Sequence, residues 1–371
     1  MSATSPDAAT IARTVAAIGS PDTAGAGVAA EARQDRLTKP PGSLGRLEDL
    51  ATGIAAISGQ ERPRLDARLI VVAAGDHGVV AQGVSPYPQS VTAQMVANFL
   101  SGGAAINVLA HHANARVRVV DAGLATALPP EVADDAALLR LGLGPGTADI
   151  TRGPAMSRKV AEAAVAAGIR LLGDERRGEG VDIVGCGEMG IGNTTSAAAL
   201  IAAVTGHSPA AVTGRGTGAD DETYARKVRA VQRALDVNAP DPADGVGLLA
   251  AVGGYEIGVL AGVYLAAAGL RVPAVMDGVI SGAAALVATA IAPGVADYVV
   301  ASHRSAEPGH LAVLDRFGFE PLLDLGMRLG EGSGAALGIS LCVAACRLLD
   351  EMATFGEAGV DDSDAAVPPE A

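Results

Sequence analysis

The chain has 371 residues and a net charge of −14, with 49 % apolar residues, 2 % aromatics and no tryptophan. That length allows one large domain or two ordinary ones, with a core built from Ala, Val, Leu and Ile. The acidic balance argues against a broad nucleic-acid or anionic-membrane footprint, though a small anion can still be held by backbone N–H groups.

Residues 1–20 read as a frayed start leading into a helix. With no basic region before an apolar block, no signal peptide is expected. Residues 22–36 read as helical, and "KPPGSLGRLEDLATGIAAI" as a Pro/Gly turn followed by another helix. A pattern then recurs, in which a short β-branched run stops at a polar residue or glycine and an Ala-rich helix follows. "LIVVAAGDHG" stops at Asp76-His77, "ARVRVVDAG" at Asp121, "VDIVGCGEMG" in a glycine loop, "VPAVMDGVISG" at Asp277 and "ADYVVASHRS" at Ser302-His303.

Strands alternating with helices predict an α/β fold, a doubly wound, mainly parallel sheet with helices on both faces. Ligands of such sheets sit beyond the carboxyl ends of the strands, so these five ends are expected to share one cleft. The large Rossmann-like domain is expected over 61–330. A small helical domain is expected from the N- and C-terminal segments, 1–60 with 331–356, the latter carrying the long apolar helix "GAALGISLCVAACRLLDEM". Residues 357–371, acidic with two prolines, read as a disordered tail. The apolar runs near 259–268 and 283–292 read as buried helices, and no uncharged run has the length and uniformity of a membrane span. The three cysteines, Cys186, Cys342 and Cys346, include no C-x-x-C, which fits a reducing compartment, with the cytoplasm as default.

The loop "GCGEMGIGNTT" (185–195) fits G-x-G-x-x-G in its first six residues. A dinucleotide site also needs a second strand about twenty residues on that ends in Asp or Glu for the ribose. The sequence that follows, "TGHSPAAVTGRGTGADDE", supplies none, and Asp220-Asp221 reads as a helix start. A phosphate fits better. Gly187, Gly190 and Gly192 would let backbone approach a ligand, and Thr194 and Thr195 stand where a helix begins, with its free N–H groups and dipole. "GRGTG" (214–218) adds a second glycine loop, and Lys227 follows on the next helix. The bland alternatives are a capped strand-to-helix turn and a solvated lysine.

"LGEGSGAALG" sets Glu331 between glycines before the C-terminal helix. A helix N-terminus lowers a carboxylate pKa and desolvation raises it, so Glu331 is either a tuned base or an ordinary first-turn acid. "GDHGVVAQGVSPYPQSVTAQM" (75–95) forms a long loop whose prolines flank Tyr87 and can wall a flat ligand. Asp76-His77 reads as a structural hydrogen-bonding pair in the absence of a third metal ligand. "SHRSAEPGH" (302–310) sets Ser302, Ser305 and Glu307 close together, suited to sugar hydroxyls. His303 and His310 lack the partners of a zinc motif.

Together, "GDHGVVAQGVSPYPQSVTAQM", "GCGEMGIGNTTSAAAL", "GRGTG", "MDGVISGAAAL", "SHRSAEPGH" and "LGEGSGAAL" resemble the nicotinate-nucleotide:5,6-dimethylbenzimidazole phosphoribosyltransferase family, from "LTKPPGSLGRLEDLA" to "MATFGEAGV". The stretch 168–181 is longer than the family pattern and is expected to lengthen a surface loop. The resemblance implies transfer of 5-phosphoribose from nicotinate mononucleotide to a benzimidazole nitrogen, with inversion at C1′. The products are α-ribazole 5′-phosphate and nicotinate, in assembly of the cobalamin lower ligand. It implies Glu331 as catalytic base. Glu188, Gly190, Gly192, Asn193, Thr194, Thr195 and Lys227 match phosphate-binding elements, and Gly216 and Ser305 the ribose contacts. Ser85, Tyr87, Gln94, Met189 and Leu329 fall around the benzimidazole, with Gln89 close to Gln94, and Asp277 plays a supporting role. A homodimer without cofactor or metal is implied. A magnesium-dependent pyrophosphate-using phosphoribosyltransferase is disfavoured, because Asp220-Asp221 follows a glycine loop and not a strand. A nucleotide sensor or carrier on the same fold could dispense with Glu331.

Overall fold

The computed structural model describes residues 5–361 apart from Thr217. Two compact units emerge. One comprises the residues up to Gly19 together with Ala67–Ile339, and the other Ser20–Asp66 with the residues from Ser340 on.

The larger unit is an α/β fold on a six-stranded sheet. Its strands are β1 (Arg68–Gly75), β2 (Arg116–Gly123), β3 (Leu138–Arg140), β4 (Ile183–Met189), β5 (Ala274–Met276) and β6 (Val299–Ala301). They run in the order β3-β2-β1-β4-β5-β6, and every neighbouring pair is parallel. β3 was not foreseen, because three residues of "LLR" carry too little periodicity to register.

β1 and β4 are buried along nearly their whole length, as strands covered on both faces must be. Successive residues of β4 show the two covers. Gly185 faces Ala335 and Ile339 of the helix Ser333–Glu351, while Cys186 meets Tyr264 of the helix Tyr255–Gly269. A core with few aromatics gains density by close backbone approach. The helices Arg158–Arg177 and Tyr255–Gly269 cross where a Cβ at Gly168 would overlap the Val259 carbonyl and one at Gly262 the Val165 carbonyl.

The stretch 168–181 is therefore no surface loop. It forms the second half of Arg158–Arg177 and the turn after it, with Ile169, Leu171, Leu172 and Glu175 buried. Arg116 and Arg118 on β2 bridge to Glu175 at 2.7 Å each.

The first helix, Pro6–Ala17, also departs from the expected division of the chain. It belongs to the larger unit, where Ser5 donates to Glu162 at 2.9 Å and Asp7 pairs with Arg170 at 2.9 Å. The smaller unit packs Ala30, Ala51, Ala55, Ala345 and Leu349 into its own core. There Arg33 satisfies the carbonyls of Leu349, Asp350 and Met352 at the end of the long helix. The expected tail, 357–371, begins within a capped helical turn, Phe355–Ala358, and 362–371 lie outside the described residues.

Two helical segments, Ser90–His112 and Ser333–Glu351, are long and apolar enough to cross a membrane by length and composition, which the sequence reading did not anticipate. The first is two helices, Ser90–Leu100 and Ala105–His112, separated by a glycine-containing turn. A core helix passes the same test, and Ser333, Ala335 and Ala336 are buried at the start of the second.

Candidate active site

β1 joins β2 on one side of the sheet and β4 on the other, so the winding reverses between β1 and β4. A cavity of about 220 Å³ opens beyond the carboxyl ends of β4, β5 and β6.

The turn after β4 forms the cavity floor. Glycines 185 and 187 of the G-x-G-x-x-G match lie inside the strand, not in a phosphate-binding turn. Nor do the glycines chiefly admit a ligand. A Cβ at Gly187 would lie 2.6 Å from the Glu331 carbonyl carbon, one at Gly190 would overlap the Gly75 carbonyl, and one at Gly192 would lie 2.7 Å from Val80 Cγ2. The turn hands over to the helix Asn193–Thr205, with Gly192 in the left-handed region at φ 95°. Two first-turn amides are already used, since Asn193 N–H donates to the Gly190 carbonyl and Thr195 N–H to that of Gly192.

A buried network holds this turn from behind. Thr92 Oγ1 donates to Asp76 at 2.7 Å and accepts from Ile191 N–H at 3.1 Å. His77 lies 2.8 Å from Glu256 through Nε2 and 3.0 Å from Ser196 through Nδ1, with all three side chains buried. Asp121 faces Arg140 at 3.6 Å. The ends of β1 and β2 thus support the site without lining it, and three strand ends, not five, open into the cavity.

Acids converge around the junction of β4 with the 329–332 loop. Burial and the neighbouring Asp277 and Glu256 carboxylates push Glu188 up to about 8, against a hydrogen bond from Asn193. Burial pushes Asp277 up to about 7, although it accepts the N–H groups of Gly332, Gly334 and Ala335 at 3.1, 2.7 and 3.1 Å. Asp277 thereby fixes the start of the helix and the loop that carries Glu331. Glu331 lies at φ 63°, between Gly330 at 86° and Gly332 at 87°, in a conformation that strains a residue with a side chain. Burial raises its pKa, and Ile106 N–H opposes this at 3.4 Å.

The cavity has two kinds of wall. Tyr87, Val91, Met95, Met189 and Leu329 give an apolar one. Thr194, Gly216, Ser305 and Glu307 give a polar one. Gly216 donates its N–H to Glu307 at 3.0 Å and accepts from Arg328 at 2.9 Å. Lys227, buried on the helix Asp221–Asn238, reaches the Gly214 carbonyl at 3.0 Å, and burial lowers its pKa to about 8. A Cβ on Gly216 would lie 3.4 Å from both Lys227 Nζ and Thr194 Oγ1, so these groups converge on one point. Among the described residues, no group of three or more His, Cys, Asp or Glu could hold a metal ion.

A family model described as "Phosphoribosyltransferase" matches residues 18–360. Similar proteins include the nicotinate-nucleotide–dimethylbenzimidazole phosphoribosyltransferase of Roseiflexus sp. (strain RS-1), 58 % identical over 94 % of this chain and 98 % of that one. Its namesake from Chloroflexus aggregans is 56 % identical over 91 % and 94 %. The chain belongs to this phosphoribosyltransferase family. A crystal structure of the family's enzyme from Thermus thermophilus superposes with a TM-score of 0.85 at 46 % identity, covering 91 % of this chain and 99 % of that one.

Of the residues that the family resemblance marks, Glu188, Gly190, Asn193, Thr194, Gly216, Ser305, Tyr87, Met189, Leu329 and Glu331 line the cavity together. Gly192, Thr195 and Lys227 lie in the elements behind the polar wall, and Asp277 beneath the Glu331 loop. Ser85 does not line the cavity; its Oγ accepts from Tyr87 N–H at 3.2 Å. Gln94 is exposed and points elsewhere, because on the helix Ser90–Leu100 the cavity face is Val91 and Met95, one turn apart. Gln89 is engaged with the His77 carbonyl at 3.0 Å. Unforeseen lining residues are Val91, Met95, Val279, Ile280 and Arg328, while His303 lines the cavity as a strand end expected to share the cleft. The i, i+4 spacing of Val91 and Met95 was the available signal. Arg328 carried none.

Proposed function

We propose that the chain transfers the 5-phosphoribosyl group of nicotinate mononucleotide to a nitrogen of 5,6-dimethylbenzimidazole, releasing α-ribazole 5′-phosphate and nicotinate for the cobalamin lower ligand. One observation carries this reading. A single cavity is lined by apolar residues suited to a flat base, by a polar cluster suited to a phosphorylated sugar, and by Glu331.

The apolar wall takes the benzimidazole on Tyr87, Met189 and Leu329, helped by Val91 and Met95. Lys227, Thr194 and the helix N-terminus at Asn193 hold the phosphate, and Gly216 and Ser305 the ribose. One benzimidazole nitrogen attacks C1′ from the face opposite the pyridinium, and inversion follows. The C1′–N bond breaks, its electron pair passes to the pyridine nitrogen, and nicotinate departs without a general acid. Attack makes the benzimidazole cationic, so the proton on its other nitrogen becomes acidic and passes to Glu331. A carboxylate raised by burial is a better base for that proton. Glu188, at about 8, is mostly protonated at neutral pH and can donate to a substrate oxygen. Ser85 acts through the Tyr87 backbone, and Gln94 is left without a direct role.

A homodimer and a cytoplasmic location belong to the same proposal. Three free, buried cysteines fit a compartment that keeps thiols reduced. Sedimentation velocity tests the dimer. The function is tested by incubating nicotinate mononucleotide with a panel of benzimidazoles and purines and identifying the α-nucleotide formed.

A further inference from the structure

Arg328 is the one lysine or arginine among the described residues that line the cavity. Glu307 and Glu331 line it with the opposite sign, and Glu188 is held mostly protonated. A nicotinate mononucleotide brings two anionic groups into this acidic space, its phosphate and the carboxylate on the pyridine ring. Lys227 lies at the polar wall beside Thr194, which suits the phosphate. The ring carboxylate then has one cationic side chain to meet.

Arg328 stands where that meeting would occur. It precedes Leu329 of the apolar wall and anchors one nitrogen, Nη1, on the Gly216 carbonyl of the polar wall at 2.9 Å. The C1′–N bond of the donor must lie where these walls join. The other guanidinium N–H groups have no acceptor among the described residues, and a planar fork fixed at one corner is preorganised for a carboxylate. We propose that Arg328 is the specificity-determining residue that pairs with the carboxylate of the nicotinate leaving group and selects it over the corresponding amide.

The inference rests on the reaction proposed above. In that step the bond from base nitrogen to C1′ forms, the C1′–pyridinium bond breaks, and its electron pair goes to the ring nitrogen. The pyridinium carboxylate is neutral overall before departure and carries one negative charge after it. Pairing with Arg328 therefore strengthens as the bond breaks, which accelerates turnover and does not merely tighten binding. A nicotinamide ring leaves neutral and gains little.

The test compares nicotinate mononucleotide with nicotinamide mononucleotide as donors for the wild type, Arg328→Gln and Arg328→Lys, with circular dichroism and melting to verify folding. Arg328→Gln is expected to lower kcat/KM for the nicotinate donor by about 10- to 100-fold, the range for a hydrogen bond to a charged group, and to lower the nicotinamide donor far less. Arg328→Lys should restore part of the preference. Loss of the Gly216 contact alone would lower both donors by the same factor. An equal fall, or an unchanged ratio, overturns the inference while leaving the reaction intact. Absence of wild-type turnover with nicotinate mononucleotide overturns the reaction and this inference with it.

Discussion

Gly187 of β4 packs its α-carbon against the peptide that follows Glu331. A Cβ at position 187 would lie 2.6 Å from both the Glu331 carbonyl carbon and the Gly332 nitrogen. The strand thus sets the backbone position of the proposed base. Gly187→Ala is expected to force the Glu331 loop outward. Overpacking of this kind costs about 1–3 kcal/mol, and a displaced base of this kind can cost about 10²-fold in turnover. Steady-state kinetics should show kcat falling far more than the affinity for the nucleotide. Unchanged kcat would mean that the strand does not set the base.

The left-handed backbone of Glu331 leads to a second expectation. Glu331→Ala keeps the strained conformation without the carboxylate, whereas Glu331→Gly relaxes it. The glycine variant should be the more stable of the two by about 1 kcal/mol, read by urea unfolding. Both should lack base function. Glu331→Gln, nearly isosteric, should lose about 10²–10⁴-fold in turnover with nucleotide binding preserved. An alanine variant as stable as the glycine variant would contradict the strain.

The strand-and-helix alternation, the strand ends and the lone acid between glycines were legible, because periodicity and punctuation are local properties. Gln94 misled because sequence nearness to Tyr87 says nothing about which face of a helix meets the cavity. The glycines of 185–192 misled because their spacing does not reveal what approaches them; their missing Cβ positions face protein, backbone at Gly187 and Gly190 and side chains at Gly185 and Gly192. Asp76 and His77 end a strand as Glu188 does, yet they are sealed behind the turn by Thr92, Ser196 and Glu256, partners 16, 119 and 179 residues distant in the chain. Arg328 was invisible, since an arginine in a loop has no pattern until Gly216 is seen opposite it.

Lys227 should shape the alkaline side of the pH profile. Burial lowers its pKa to about 8, so the cation needed for the phosphate is lost as pH rises through that value. kcat/KM for nicotinate mononucleotide, which reports the free enzyme, should fall above about pH 8. Lys227→Arg, which stays protonated, should shift that limb upward. A limb unchanged in the arginine variant would assign it to another group.

Glu188 should make stability depend on pH. Its folded pKa of about 8 lies above the ordinary 4.5, so the folded state holds a proton that the unfolded state has released between those values. Stability from this group is complete below about pH 4.5 and is lost as pH rises toward 8. Melting temperature measured across that window should decline in the wild type and decline less in Glu188→Gln. Parallel curves would show that Glu188 is not held protonated.

The most direct measurement follows nicotinate mononucleotide and 5,6-dimethylbenzimidazole with the purified protein by chromatography and proton NMR. The expected result is nicotinate and α-ribazole 5′-phosphate in equal amounts, with the α configuration at C1′. Binding of the nucleotide without release of nicotinate would mark a sensor or carrier, and a β product would exclude direct displacement; either would contradict the proposed reaction.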